Sequence, residues 1–179
     1  MARRPGSAGT VYLLMDCSAS MADADKLPQA KRGTLKFFLE AWQRDYAVGV
    51  ITFASRAACL LSAGKSIYAL VRRLERLEPN GRTAMASAIT MAVRRLRRRP
   101  GHRRIMLITD GMPDSREATL FAVRRARSLG IEVIAVGTDG ADWDFLAALT
   151  PRPELAVKVS NDDLERAIGA AAEMLAPKE

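Results

Sequence analysis

The chain of 179 residues has few of the features that mark secreted or membrane proteins. Its two cysteines, Cys17 and Cys59, are expected to be free thiols rather than a disulfide framework. No apolar run approaches the roughly 20 residues that a membrane-spanning helix needs. The apolar segment over residues 11–15 is too short for the core of a signal peptide. These absences favour a cytoplasmic protein with no membrane partner.

Two further absences argue against catalysis. The single histidine, His102, lies in a basic turn just before a predicted strand, at the opposite end of the sheet from the serines described below. A Ser-His dyad is therefore not expected. The chain also has no phosphate-binding loop of the GxxxxGK[ST] type. We expect a protein that is not an enzyme.

The hydrophobic content of 49% is sufficient for a globular unit of one domain. We predict a flexible basic leader over residues 1–9 and a single domain over residues 10–175. Strand-like and helical patterns alternate along this domain. The predicted strands cover residues 11–15, 46–53, 57–61, 104–109, 131–136 and 155–159. The predicted helices cover residues 26–44, 66–77, 84–98, 116–129, 142–149 and 162–175.

This alternation predicts a doubly wound, Rossmann-like α/β fold, in which helices cover both faces of a mostly parallel six-stranded sheet. The commonest strand order in such folds is 3-2-1-4-5-6, and the short third strand would then be an antiparallel edge strand. In this order the first and fourth strands are neighbours, about 5 Å apart. Asp16 and Asp110 follow these two strands, so both carboxylates are expected at the edge where open α/β sheets bind ligands.

The loop after the first strand reads DCSAS. In an extended loop, residues two apart point the same way, so Asp16, Ser18 and Ser20 can aim oxygen atoms at one point. Cys17 is then expected to point into the core. Serine and aspartate are also common helix caps, but a cap does not predict the second carboxylate at Asp110.

A third loop adds Thr83, which the turn at Asn80 and Gly81 places before a predicted helix. The set then has two carboxylates and three hydroxyls. Oxygen ligands of this kind suit a hard divalent cation, Mg²⁺ or alternatively Mn²⁺. The predicted metal ligands are Asp16, Ser18, Ser20, Thr83 and Asp110.

Three segments resemble the metal-site motifs of von Willebrand factor A domains, also called integrin I-like domains. DCSAS matches their DxSxS signature, NGRTAM resembles their threonine loop, and LITDGMPD resembles their second aspartate segment. The segments occur in the expected order, and the resemblance spans about residues 10–175. It implies a metal-ion-dependent adhesion site, with Ser18, Ser20 and Thr83 on the cation and Asp16 and Asp110 bound directly or through water.

The same resemblance implies a function, in which the bound metal docks a glutamate or aspartate of a partner protein. Compact, stand-alone bacterial members often work with AAA+ ATPases of the MoxR or magnesium-chelatase type. An adaptor or co-chaperone role beside such an ATPase is therefore expected.

The chain has a net charge of +8, and many of its arginines form a dense basic run around His102. A solvated helix face is the simplest interpretation of this run. The alternative function is binding of RNA or a ribonucleoprotein through the arginine-rich face around residues 94–104, although the run lacks the interleaved aromatics that stack on bases. Its arginines are Arg94, Arg95, Arg97, Arg98, Arg99, Arg103 and Arg104.

Overall fold

The computed structural model describes residues 6–175, and it contains the six-stranded sheet that the sequence predicts. The strands alternate with helices along the chain. Their bounds are β1 Gly9–Asp16, β2 Tyr46–Phe53, β3 Ala57–Leu61, β4 His102–Thr109, β5 Glu132–Gly137 and β6 Ala156–Lys158. The helices are α1 Lys26–Gln43, α2 Ile67–Glu75, α3 Met85–Leu96, α4 Arg116–Ser128, α5 Trp143–Leu149 and α6 Leu164–Ala170.

The strand order is β3-β2-β1-β4-β5-β6, which confirms the predicted topology. Every neighbouring pair is parallel except β2 and β3, which form an antiparallel pair at one edge. The register of β1 on β4 places Met15 opposite Ile108. The loops that follow these two strands therefore leave the sheet side by side.

Two apolar layers sandwich the sheet, and β1 shows how the sequence builds them. Val11, Leu13 and Met15 pack into the layer that contains α1, α2 and α6. Tyr12 and Leu14 point the other way, into the layer formed by α3, α4 and α5. All five side chains are buried, as expected for a central strand covered on both faces.

The structure differs from the predicted elements mainly at their ends. A 3₁₀ helix over Ala19–Asp25, which the sequence analysis did not predict, precedes α1. The last helix is α-helical only to Ala170 and continues as a 3₁₀ helix over Ala171–Leu175. β1 begins at Gly9, and residues 1–5 of the predicted leader lie outside the described residues. The domain limits of 10 and 175 remain a prediction.

Candidate metal centre

Asp16 and Asp110 lie together at the carboxyl edge of the sheet. Asp16 is the last residue of β1, and Asp110 directly follows Thr109, the last residue of the neighbouring strand β4. Both side chains are buried, with Asp16 0% and Asp110 4% exposed. The adjacency predicted from strand order is therefore present.

The DCSAS loop brings its hydroxyls onto this pair of carboxylates. Ser18 N–H donates to Asp16 Oδ1 at 2.8 Å, which folds the loop back over the strand end. The hydroxyls of Ser18 and Ser20 are 3.1 Å apart, and Ser20 Oγ donates to Asp110 Oδ1 at 2.9 Å. Ser18 makes no side-chain capping bond to the 3₁₀ helix that follows, so its hydroxyl is used within the site.

Cys17 takes no part in this cluster. Its side chain is buried in the apolar layer beside α1, as the alternation along the loop predicts. Burial, with a smaller contribution from the Asp16 carboxylate, raises the pKa of the Cys17 thiol to about 12. A thiol with this pKa stays neutral at physiological pH and behaves as a small apolar side chain.

Asp16 is a buried carboxylate surrounded by neutral donors. Besides Ser18 N–H, its second oxygen accepts a hydrogen bond from Thr109 Oγ1 at 2.9 Å. Burial raises the pKa of Asp16 to about 6, and the nearby Asp110 carboxylate adds to this rise, although the hydrogen bonds from Ser18 and Thr109 lower it. No Lys, Arg or His pairs with Asp16 among residues 6–175. The carboxylate therefore lacks a compensating positive charge.

Asp110, in contrast, has a cationic partner that the sequence analysis missed. Lys26 Nζ lies 2.8 Å from Asp110 Oδ2, and the Lys26 side chain is only 11% exposed. Lys26 is the first residue of α1. The one sequence signal was a lysine directly ahead of the apolar stripe that begins at Leu27.

Backbone hydrogen bonds tie the loop that carries Thr83 to the DCSAS loop. Ala19 N–H donates to the Gly81 carbonyl at 3.1 Å, and Asn80 N–H donates to the Cys17 carbonyl at 2.9 Å. Thr83 N–H donates to Asp114 Oδ1 at 3.0 Å. The threonine hydroxyl itself makes no hydrogen bond to any other described residue. Hydrogen bonds thus link four of the predicted ligands, and Thr83 is tied to them through its loop.

The donor set fits a hard divalent cation. It consists of two carboxylates and hydroxyl oxygens. Within residues 6–175, no three or more His, Cys, Asp or Glu side chains form a group that could hold a metal, so hydroxyls have to supply part of this site's ligands. A site with two carboxylates and several neutral oxygens resembles the way proteins bind Mg²⁺, which keeps some of its waters. The uncompensated charge of buried Asp16 is the observation that favours a cation here.

The arginine run is split by the structure. Arg94, Arg95 and the three arginines at residues 97–99 are exposed at the end of α3. Arg104 is instead 8% exposed: its Nε lies 2.8 Å from Glu132 Oε2, and its guanidinium donates to Tyr46 Oη and to the Leu175 carbonyl. The prediction that Arg104 belongs to a surface face is wrong, because its position in β4 turns the side chain inward.

Comparison with known proteins identifies the family. The model of the von Willebrand factor type A domain matches residues 11–112, a range that includes all five predicted ligands. The uncharacterized protein Rv2850c of Mycobacterium tuberculosis is 35% identical over 118 residues, which cover 60% of this chain and 18% of that protein. The UPF0353 protein ML1808 of Mycobacterium leprae is 28% identical over 156 residues, covering 76% of this chain and 47% of that protein.

Among solved structures, the vWF domain of the type V pili tip protein Mfa5 from Porphyromonas gingivalis superposes with a TM-score of 0.82 at 11% identity, over 95% of this chain and 97% of that one. This likeness shows the shared fold. The chain spans less than half the length of either mycobacterial relative. No helix within residues 6–175 has the length and apolar character needed to cross a membrane. The chain belongs to the von Willebrand factor type A domain family.

Proposed function

We propose that this domain is a metal-dependent protein-interaction module that docks a partner's glutamate or aspartate on a bound Mg²⁺, with Mn²⁺ as a substitute. Domains of the family commonly mediate protein interactions. In this domain, we propose, that role depends on a bound metal and involves no catalysis.

The hydroxyls of Ser18, Ser20 and Thr83 would hold the cation, with Asp16 and Asp110 bound directly or through water. Once bound, the metal would supply a Lewis-acidic position for a carboxylate oxygen from outside. The chain's own residues prepare the site. Ser18 N–H and Thr109 Oγ1 fix both oxygens of Asp16, and Ser20 Oγ fixes one oxygen of Asp110.

The positive charge of Lys26 is the reason to expect an anion of the partner, rather than a neutral group, as the external ligand of the metal. The carboxylates of Asp16 and Asp110 carry two negative charges when both are ionised, and the Lys26 ammonium at Asp110 Oδ2 neutralises one of them. A divalent cation then makes the whole site net positive. A buried net positive charge attracts a carboxylate, so an acidic side chain is the expected external ligand.

The observation that supports the proposal is that buried Asp16 has no cationic partner among residues 6–175 and lies beside the linked hydroxyls of Ser18 and Ser20. A purely structural role would leave the Asp16 carboxylate buried with hydrogen bonds but without a compensating positive charge. A cation at this position would supply the missing positive charge and offset part of the cost of burying the carboxylate.

We further propose that the partner is an AAA+ ATPase of the MoxR or magnesium-chelatase type and that the two meet in the cytoplasm. The free thiols of Cys17 and Cys59 are compatible with a reducing compartment. The test is biolayer interferometry between the purified domain and a MoxR-type ATPase of the same genome, in Mg²⁺ and in EDTA. We expect binding that EDTA reverses and that Asp16→Ala abolishes.

Equal binding in Mg²⁺ and EDTA, or by wild type and Asp16→Ala, would rule out metal-dependent docking. Glu75→Ala, at an exposed position of α2, serves as the matched control for the loss of one carboxylate. A single-stranded RNA oligonucleotide tests the alternative function. Tight, steeply salt-dependent binding of RNA without metal dependence would favour the exposed arginines of α3 instead.

A further inference from the structure

A groove of about 880 Å³ runs between α3 and α4 and reaches the turn between β2 and β3. We call it the α3–α4 groove. Short side chains from both helices line it, among them Ala86, Ser87, Ala118 and Ala122. Because these side chains are small, the two helices leave an open channel between them.

Three arginines give this groove a positive charge. Arg56 extends from the β2–β3 turn, Arg94 from α3 and Arg124 from α4, and all three are exposed. None of them makes an ion pair or a side-chain hydrogen bond within residues 6–175. Arg116, on the same helix as Arg124, shows the contrast, since it pairs with Asp142 at 3.1 Å. The groove therefore presents guanidinium groups that are available to a ligand.

The groove also carries an apolar contact. Phe121 of α4 is 69% exposed and lines the groove, as does the partly buried Met91 of α3. Phenylalanine and arginine are both enriched at protein interfaces. The ligand is thus expected to combine negative charge with aliphatic or aromatic side chains.

One end of the groove borders the loop that carries Thr83. Ser55, which lines the groove, accepts a hydrogen bond at Oγ from Arg82 N–H at 3.1 Å. Ser115 also lines it and directly follows Asp114, whose carboxylate accepts the Thr83 N–H. A chain that left the candidate metal site on this side would enter the groove.

We propose that the α3–α4 groove binds an acidic, partly apolar peptide segment of the partner protein, continuous with the carboxylate that the metal docks. The inference deepens the proposed function and rests on it for the partner's orientation. Along α3, the nine residues from Ala86 to Arg94 span about 12 Å, because each of the eight steps between them rises about 1.5 Å. An extended peptide covers that length in about four residues.

An acidic peptide fits this groove better than RNA. Glu117 lines it and would face the phosphates of a nucleic acid backbone, whereas a peptide can place an apolar or polar residue there. Phe121 is also the one aromatic residue among those that the structure places on its walls. Guanidinium groups bind carboxylates through paired hydrogen bonds, so isolated arginines suffice for a short acidic segment.

The experiment measures the fluorescence anisotropy of a labelled octapeptide of six glutamates and two leucines, titrated with the whole chain near 0.15 M salt. The variant Arg94→Glu/Arg124→Glu reverses two groove charges. The control Arg72→Glu/Arg76→Glu makes the same change in net charge at exposed positions of α2 and its end. We expect the groove variant to weaken binding by about tenfold or more and the control by less than about twofold.

Equal weakening by both double variants would overturn the proposal, since only net charge would then matter. Tighter binding of a labelled octauridine, lost in the groove variant, would also overturn it and assign the groove to RNA. Repeating the titration in EDTA and with Asp16→Ala separates the two proposals. If the groove variant alone weakens binding, the groove is supported and metal docking fails; if only EDTA and Asp16→Ala weaken it, metal docking stands and the groove fails.

Discussion

Ser20 Oγ donates a hydrogen bond to Asp110 Oδ1 at 2.9 Å, linking two loops whose residues lie 90 positions apart in the chain. This bond joins the loop after β1 to the loop after β4, and each loop contributes a carboxylate to the same point. We expect Ser20→Ala to cost about 1 kcal/mol of folding free energy and to weaken Mg²⁺ binding about tenfold or more. Calorimetric titration with MgCl₂ measures the affinity, and Ser128→Ala, on an exposed turn of α4, is the control.

Lys26 opposes metal binding while it stabilises the metal-free protein. Its ammonium pairs with Asp110 in a buried salt bridge, so Lys26→Met leaves that carboxylate without a cationic partner and is expected to cost about 3 kcal/mol or more. The same change restores a negative charge to the site, so Mg²⁺ should bind about tenfold more tightly. Melting curves with and without Mg²⁺ measure both effects, and unchanged Mg²⁺ affinity would contradict the role assigned to Lys26. Lys65→Met, in an exposed loop, is the control.

The pH dependence of stability follows from Asp16. Its pKa rises from the ordinary 3.8 to about 6 on folding, so the folded state holds the proton more tightly than the unfolded state. Protonated Asp16 therefore favours the folded state, and its full contribution of about 3 kcal/mol to the free energy of unfolding is present below about pH 4. This contribution is lost as the pH rises through about 6. Urea unfolding of the wild type and Asp16→Asn in EDTA between pH 4 and 8 measures this change. The wild type should lose stability relative to Asp16→Asn as pH rises, and a constant difference would contradict the assignment.

Gly81 positions the loop of Thr83. Its φ of +73° favours glycine, and a Cβ there would meet Ser55 Oγ at 2.4 Å. Gly81→Ala is therefore expected to destabilise the protein by about 1 kcal/mol or more and to weaken Mg²⁺ binding by displacing Thr83. Gly64→Ala is the matched control, because Gly64 has a φ of +89° but open space around it. The Gly64→Ala variant should lose stability and keep its Mg²⁺ affinity. Equal Mg²⁺ affinities for Gly81→Ala and Gly64→Ala would exclude a positioning role for Gly81.

The strand order and the meeting of Asp16 with Asp110 could be predicted because both follow from periodicity and connection rules. Alternating helices and strands restrict the topology to a few arrangements. Once the strand order is known, residues at the ends of neighbouring strands are known to lie close together, whatever their side-chain conformations. The inward position of Cys17 followed from the same alternation.

The partners of these carboxylates could not be predicted in the same way. Lys26 reaches Asp110 through a long, flexible side chain whose direction depends on the 3₁₀ helix before α1, and no local pattern indicates that helix. Thr109 contacts Asp16 only because β1 and β4 pair in one register. The run of arginines predicts a surface position for Arg104, but the side chain is buried because Arg104 lies within β4.

The melting temperature in Mg²⁺ tests the central claim most directly. A ligand that binds only the folded state stabilises it by RT ln(1 + [L]/Kd), so the gain grows with the ratio of free ligand to its Kd. We expect Mg²⁺ and Mn²⁺ to raise the melting temperature of the wild type above its value in EDTA and to leave Asp16→Ala and Asp110→Ala unchanged. An equal rise in all three proteins would show that the cation binds elsewhere and would contradict a metal centre formed by Asp16, Ser18, Ser20, Thr83 and Asp110.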